Sequence, residues 1–174
     1  LKKLRQTNQR LADLSLRDEL TRLYNRRGFL DLSKQSLMFA QRMKKDAMLI
    51  FIDLDGLKRI NDTWGHMSGD TAITGAAIVL KATFRQVDII ARLGGDEFVV
   101  LTLDSPYQTK DIMMDRLRKN IDVFNESNTN AWDLSMSVGV LAIPPDDKRP
   151  LEELIKIADA LQYEEKQAKR RERQ

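Results

Sequence analysis

The 174 residues are 42% hydrophobic and 32% charged, which is enough apolar material for one sizeable core and too much for a disordered chain. There is no cysteine and one histidine, His66, which excludes disulfides, thiolate sites and a His-rich transition-metal centre, so any metal is a hard cation held by oxygen. The net charge of +3 is uneven, because residues 166–174 hold five Lys or Arg and one Glu, either a solvated helix end or a surface that faces phosphates.

In chain order, residues 1–16 read as a connecting helix with Leu1, Leu4, Leu11 and Leu14. A heptad register puts Leu1, Asn8 and Ser15 at a, with Leu4 and Leu11 at d, as at the end of a parallel coiled coil; an ordinary amphipathic helix is the alternative. The start in mid-pattern, on Leu1-Lys2-Lys3-Leu4 rather than a signal peptide, is expected of a segment joined to an upstream sensor. Asp18-Glu19-Leu20-Thr21 leads through Asn25 into a helix over 26–44, whose apolar face is Leu30, Leu37, Met38, Phe39 and Met43. The run from Ala47 to Leu54 predicts a strand buried on both faces, and it ends in Asp53 and Asp55. At this length it is a strand and falls far short of the roughly 20 residues of a membrane span.

A short helix over 57–61 and a longer one over 68–84 flank Gly65-His66, where His66 shapes the turn. Residues 89–93 and 98–103 are β-like runs joined through Gly94-Gly95, a hairpin signal because paired glycines supply the positive φ of a tight turn. A helix over 109–126, a strand over 134–140 and a last helix from 151 into the basic tail complete an α+β pattern, with helices packed on an antiparallel or mixed sheet.

If the strand ending at Asp53 neighbours the hairpin carrying Asp96 and Glu97, three carboxylates converge, with Arg92 the one nearby cation on the hairpin. Two unit charges about 4 Å apart repel by roughly 4 kcal/mol at an effective dielectric near 20. Such a cluster is relieved by a divalent cation or by protonation of one member. Mg²⁺, or Mn²⁺, suits oxygen donors and leaves coordination positions open to phosphates. The competing reading is structural, with Asp53 and Asp55 capping the next helix and Asp96 and Glu97 decorating a turn. The residues alone therefore point to metal-assisted phosphate chemistry.

The motifs Asp18-Glu19-Leu20-Thr21, Leu23-Tyr24-Asn25-Arg26-Arg27, Asp53-Leu54-Asp55, Lys58-x-x-Asn61-Asp62, Gly65-His66-x-x-Gly69-Asp70 and Arg92-x-Gly94-Gly95-Asp96-Glu97-Phe98 stand in an order and spacing that resemble the GGDEF diguanylate cyclase domain. That resemblance covers residues 17–174 and implies a mainly antiparallel five-stranded sheet flanked by helices, like nucleotide cyclases and polymerase palms. It implies condensation of two GTP into cyclic di-GMP with release of two pyrophosphates, across a homodimer of domains in the cytoplasm, with no nucleic-acid partner. Asp53, the carbonyl of Leu54, Asp96 and Glu97 would hold two Mg²⁺ ions, and Glu97 would also help to take the proton of the attacking hydroxyl. Gly94 and Gly95 would let the backbone approach the nucleotide. Asn61 and Asp70 would read guanine, while Lys58, Lys166 and Arg170 would meet phosphates. Arg85 and Asp88 match an RxxD site at which the product inhibits.

Some positions depart from the pattern. Arg22 stands at a usual glycine, Gln162 at an apolar position, Glu165 at a small one, and Lys169-Arg170-Arg171 in place of Gly-Arg-Asn. The alternative implied by these changes is a weak or inactive module that binds GTP or cyclic di-GMP and signals through its N-terminal helix.

Overall fold

The computed structural model describes residues 16–172, so the connecting helix expected over 1–16 lies outside the described residues. Helix α1 spans Arg26–Arg42, β1 Ala47–Leu54, α2 Leu57–Trp64, α3 His66–Thr83, β2 Ile89–Gly94, β3 Glu97–Leu103, α4 Lys110–Ser127, β4 Met136–Ile143 and α5 Leu151–Glu172. The strands form one antiparallel sheet in the order β2-β3-β1-β4. Five strands were expected; the described residues form four. The residues after β4 continue into a long helix, so the sheet gains no further strand there.

β1 lies in the middle of the sheet, and its two-residue period sorts the core into halves. Met48, Ile50, Ile52 and Leu54 meet α3, α4 and the Trp132–Met136 segment. Ala47, Leu49 and Phe51 meet α1 and α5. Each fully buried aliphatic side chain contributes about 1.5–3 kcal/mol, so this one strand anchors both layers. The same alternation turns Asp53 to the α5 side. On β3, Phe98 and Val100 belong to the first half while Val99 and Leu101 belong to the second, which turns Glu97 to the same side as Asp53.

α1 begins where the Asn25 side chain accepts a hydrogen bond from the Gly28 N–H at 2.9 Å. Its buried face is Phe29, Leu37 and Ala40, with Leu30 half-buried against the same core, so the expected stripe holds at Leu30 and Leu37 while Met38, Phe39 and Met43 point outward. Ser33 is buried between Phe29 and Leu37 on that same face, so the helix docks on a line that hydrophobicity alone did not mark.

α5 crosses the sheet so closely at Gly139 that a Cβ there would stand 2.2 Å from the Ala158 carbonyl oxygen. β4 is an edge strand, and α5 covers part of that edge with polar groups. The Val138 N–H donates to Glu165 Oε2 at 2.6 Å, and Lys169 Nζ donates to the Met136 carbonyl.

Candidate active site

The β1–β3 register places Asp53 directly opposite Glu97, and the Leu54 N–H donates to the Asp96 carbonyl at 2.9 Å. The two strand ends therefore do converge. Like charges directly opposite one another destabilise a sheet, so the position is one that packing alone would not select. Burial, then repulsion by Asp96 and Asp55, push the Asp53 carboxyl up against the pull of Lys166, whose Nζ donates to Asp53 Oδ1. Burial, then Asp159, Asp96 and Asp53, push Glu97 up, with Arg26 as the opposing cation.

Gly94 and Gly95 form the hairpin turn at φ +148° and +49°, and an added Cβ would meet nothing within 4 Å at either. Open space therefore lies over the turn beside the acids. Arg92, the one cation on the hairpin, is engaged away from the acidic pair. Its Nε and Nη2 donate to the Gly95 carbonyl at 3.0 and 2.9 Å, and Nη1 pairs with Asp18 at 3.2 Å, so it ties the hairpin to the N-terminal turn. Asp18 also accepts from the Thr21 N–H and hydroxyl at 2.8 and 2.7 Å. Arg22 sits there at φ +60°, which explains the usual glycine; a side chain in this region costs roughly 1–2 kcal/mol.

Asp55 does not cap α2, contrary to its structural reading. Its carboxylate accepts from the hydroxyls of Ser135 and Ser137, both at 2.7 Å, and lies 3.7 Å from Lys169 Nζ. Lys169 also pairs with Glu165 at 3.2 Å. The two departures Glu165 and Lys169 thus brace each other and β4, and they hold the last turns of α5, with Lys166, against the acid cluster. Sequence reasoning missed Lys169, Ser135, Ser137 and Arg26. The Ser-x-Ser alternation leading into β4 was the one available signal, since Ser137 is the β-partner of Asp53.

At the elbow between α2 and α3 the Asn61 amide lies against Gly69, the residue before Asp70. A Cβ on Gly69 would stand 1.8 Å from Asn61 Oδ1, so the glycine is what lets the Asn61 amide lie beside the turn carrying Asp70. His66 is the first residue of α3 and is exposed, so the turn is shaped by Gly65 at φ +88°. Lys58 is exposed on the first turn of α2. Lys166 and Arg170 line a cleft with Asp55 and Gly56.

Arg85 and Asp88 form a separate corner at the far end of the sheet. Asp88 accepts from the Arg85 N–H at 2.8 Å, and Arg85 Nη2 donates to the Leu103 carbonyl at 2.8 Å and to Ser105 Oγ at 2.7 Å.

The acid cluster offers only hard oxygen donors, is under mutual repulsion and already attracts an ammonium group, which fits a divalent cation of the Mg²⁺ type. Among the described residues, no three Asp, Glu or His side chains are gathered closely enough to enclose an ion.

The profile of the family described as "Diguanylate cyclase, GGDEF domain" matches residues 15–172. The chain belongs to this GGDEF-domain family. It is 37% identical over 168 residues to the probable diguanylate cyclase DgcC of Escherichia coli K12, covering 97% of this chain and 45% of that protein. The chain thus spans between about a quarter and a half of the length of the curated relatives it matches. Among solved structures, the diguanylate cyclase SiaD of Pseudomonas aeruginosa, in complex with its activator SiaC, superposes with a TM-score of 0.83 at 29% identity, covering 96% of this chain and 64% of SiaD. The GGDEF domain of DgcB from Caulobacter crescentus, in complex with c-di-GMP, gives 0.79 at 26% identity, covering 88% of this chain and 89% of that one. No described helix is long and apolar enough to cross a membrane.

Proposed function

We propose that the chain is the catalytic domain of a diguanylate cyclase acting in the cytoplasm. The observation that carries this reading is the cross-strand pair Asp53–Glu97 beside Asp96, with both acids raised by burial and mutual repulsion at the open side of a glycine turn. In this reading Asp53, the Leu54 carbonyl, Asp96 and Glu97 hold two Mg²⁺ ions. When bound, the ions neutralise triphosphate charge and stabilise the attacking and leaving oxygens of an in-line displacement.

The chain's own residues do the rest. Asn61 and Asp70 hold the guanine edge, because a carboxylate accepts from its N1 and N2 donors and adenine lacks that pair. Gly94 and Gly95 admit the nucleotide backbone. Lys166 leaves Asp53 and, with Lys58 and Arg170, takes phosphate oxygens. Glu97, held above the usual carboxylate range, is suited to accept the proton of the 3′-hydroxyl.

One face of one domain carries one nucleotide, so bond formation requires a second copy of the domain facing it. The corner at Arg85 and Asp88 is the proposed site of product inhibition, where cyclic di-GMP would replace the Leu103 and Ser105 contacts of the arginine. An upstream sensor would set how often two domains meet.

A second reading, a nucleotide-binding signalling module without turnover, is favoured by one contact, the Lys166 ammonium lying on Asp53. Incubation with GTP and Mg²⁺, followed by chromatography, separates the two. The cyclase reading expects cyclic di-GMP and a specific activity that falls on dilution. No product at high protein concentration from nucleotide-stripped protein would leave the second reading standing.

A further inference from the structure

β4 ends the sheet and pairs with β1 along one side only. Successive residues of an antiparallel strand turn their backbone N–H and C=O to opposite sides. The Val138 N–H meets Glu165 and the Met136 carbonyl meets Lys169, both outside the sheet, whereas the Ser135 carbonyl accepts from the Asp55 N–H at the end of β1. The even-numbered residues of β4 therefore face the open edge. Glu165 and Lys169 close the first part of that edge. Beyond them, the N–H groups of Val140 and Ala142 and the carbonyls of Val138, Val140 and Ala142 meet no donor or acceptor among the described residues.

This stretch is recessed. It forms the floor of a groove of about 800 Å³, with Asp111 and Met114 of α4 in one wall and Leu161, Glu164 and Ala168 of α5 in the other. Val140 is buried, and Leu141 and Ala142 are half-buried. Backbone groups partly withdrawn from water and left unpaired cost free energy, and an added strand supplies the complementary groups. Residues 138–142 line the floor, and at about 3.3 Å per residue they run for roughly 16 Å, the length of a five-residue strand.

The walls decide the occupant. A second copy would bring its own α4 and α5 to the edge, and these would meet the first pair of helices before the strands met. A lone extended segment carries no such layers. Lys110 is engaged by Tyr107, Arg118 by Asp115, and Glu165 by the Val138 N–H and Lys169. The carboxylates of Asp111 and Glu164 are exposed and have no ion pair or hydrogen bond with any described residue. The unpaired charge is therefore negative on both walls. Side chains of an added strand alternate between the two walls, so one cation can face each.

We propose that the open edge of β4 is a docking site for an extended basic segment of a partner protein. The segment adds to the sheet as a strand, setting apolar residues against Met114 and Leu161 and a Lys or Arg against each of Asp111 and Glu164. The acid cluster takes no part in this, so the site stands whether or not the chain turns over GTP.

The probe is the capped octapeptide Thr-Ile-Arg-Val-Thr-Lys-Val-Thr, which carries one cation on each face when extended. It is titrated into the chain and followed by amide NMR and hydrogen exchange. In the free chain the Val140 and Ala142 N–H groups should exchange faster than those of Gly139 and Leu141, which face β1. Peptide at about ten times its Kd should slow Val140 and Ala142 about tenfold. Glu164→Lys changes an exposed side chain, is expected to fold, and should weaken binding about fivefold. The same peptide N-methylated at its interior amides keeps every side chain and should not bind. No binding at millimolar peptide would overturn the proposal, as would binding that leaves exchange at Val140 and Ala142 unchanged. Equal binding of the N-methylated peptide, or unchanged affinity in Glu164→Lys, would overturn it too. Protection of the two amides that rises with chain concentration alone would give the edge to a second copy and overturn it as well.

Discussion

At the tip of β1 and β3, Asp53 and Glu97 are held above the usual carboxylate range, whereas in the turn before α1 Asp18 is held below it, although all three are partly buried. Burial is the largest influence on each and raises each. At Asp18 the Thr21 hydroxyl and N–H and the Arg92 guanidinium outweigh it. At Glu97 three further carboxylates add to it and only Arg26 opposes. The Asp18 turn is a completed structural device, whereas the strand tip keeps a carboxyl, Glu97, whose repulsions only Arg26 opposes, the kind of imbalance that the proposed cations would relieve. The Arg85–Asp88 corner resembles the Asp18 turn, since its groups are satisfied within the chain.

The largest effect expected from this contrast is on turnover. Asp96→Ala should lower cyclic di-GMP formation by about a thousandfold while the urea midpoint barely moves, because an electrostatic group at the reacting centre is lost and no packing is. A variant that kept a tenth of wild-type activity would show the tip to be an ordinary turn. Asp18→Ala should do the reverse. It strands Arg92 and the Thr21 donors and should cost about 2 kcal/mol in urea unfolding. A loss too small to measure would mean that the turn is not the satisfied partner in the comparison.

Between these lies Gln162, which is 3% exposed with an Nε2 that finds no partner among the described residues. It is a burial cost neither repaid nor used. Gln162→Leu should stabilise by about 1 kcal/mol, read as a higher urea midpoint at an unchanged slope.

Much of this was legible in the residues. The order of helices and strands, the buried β1 run and the glycine hairpin followed from periodicity, because long apolar runs and paired glycines leave few alternatives. The convergence of Asp53 with Asp96 and Glu97 followed once the two strands were taken as neighbours. The face that α1 buries was legible at Leu30 and Leu37 but not beyond, since Met38 and Phe39 are as apolar as Phe29 and only the sheet beneath decides between them. The counter-ions were not legible either. Lys166 and Lys169 reach Asp53 and Asp55 across more than a hundred residues, a contact that depends on how α5 crosses Gly139. The partners of Arg92 were not legible, because its place on the hairpin says nothing of the Gly95 carbonyl and Asp18, which hold it.

The contrast also sets the sign of the pH response. A carboxyl whose folded value is lowered, such as Asp18, contributes stability above its unfolded value and loses it as pH falls through the lowered folded value. A carboxyl whose folded value is raised, such as Glu97, binds its proton more readily when folded, so stability declines as pH rises from the unfolded value to the folded one. Thermal melting of wild type and Glu97→Gln, at neutral pH and again with GTP and Mg²⁺, tests the claim of an incomplete site most directly. Without ligand, Glu97→Gln should melt about 2 °C above wild type, as removal of one unpaired repelled charge implies. With GTP and Mg²⁺ the order should reverse, because only wild type keeps the full acid cluster. A variant that melts below wild type without ligand, or gains as much from GTP and Mg²⁺, would contradict the account.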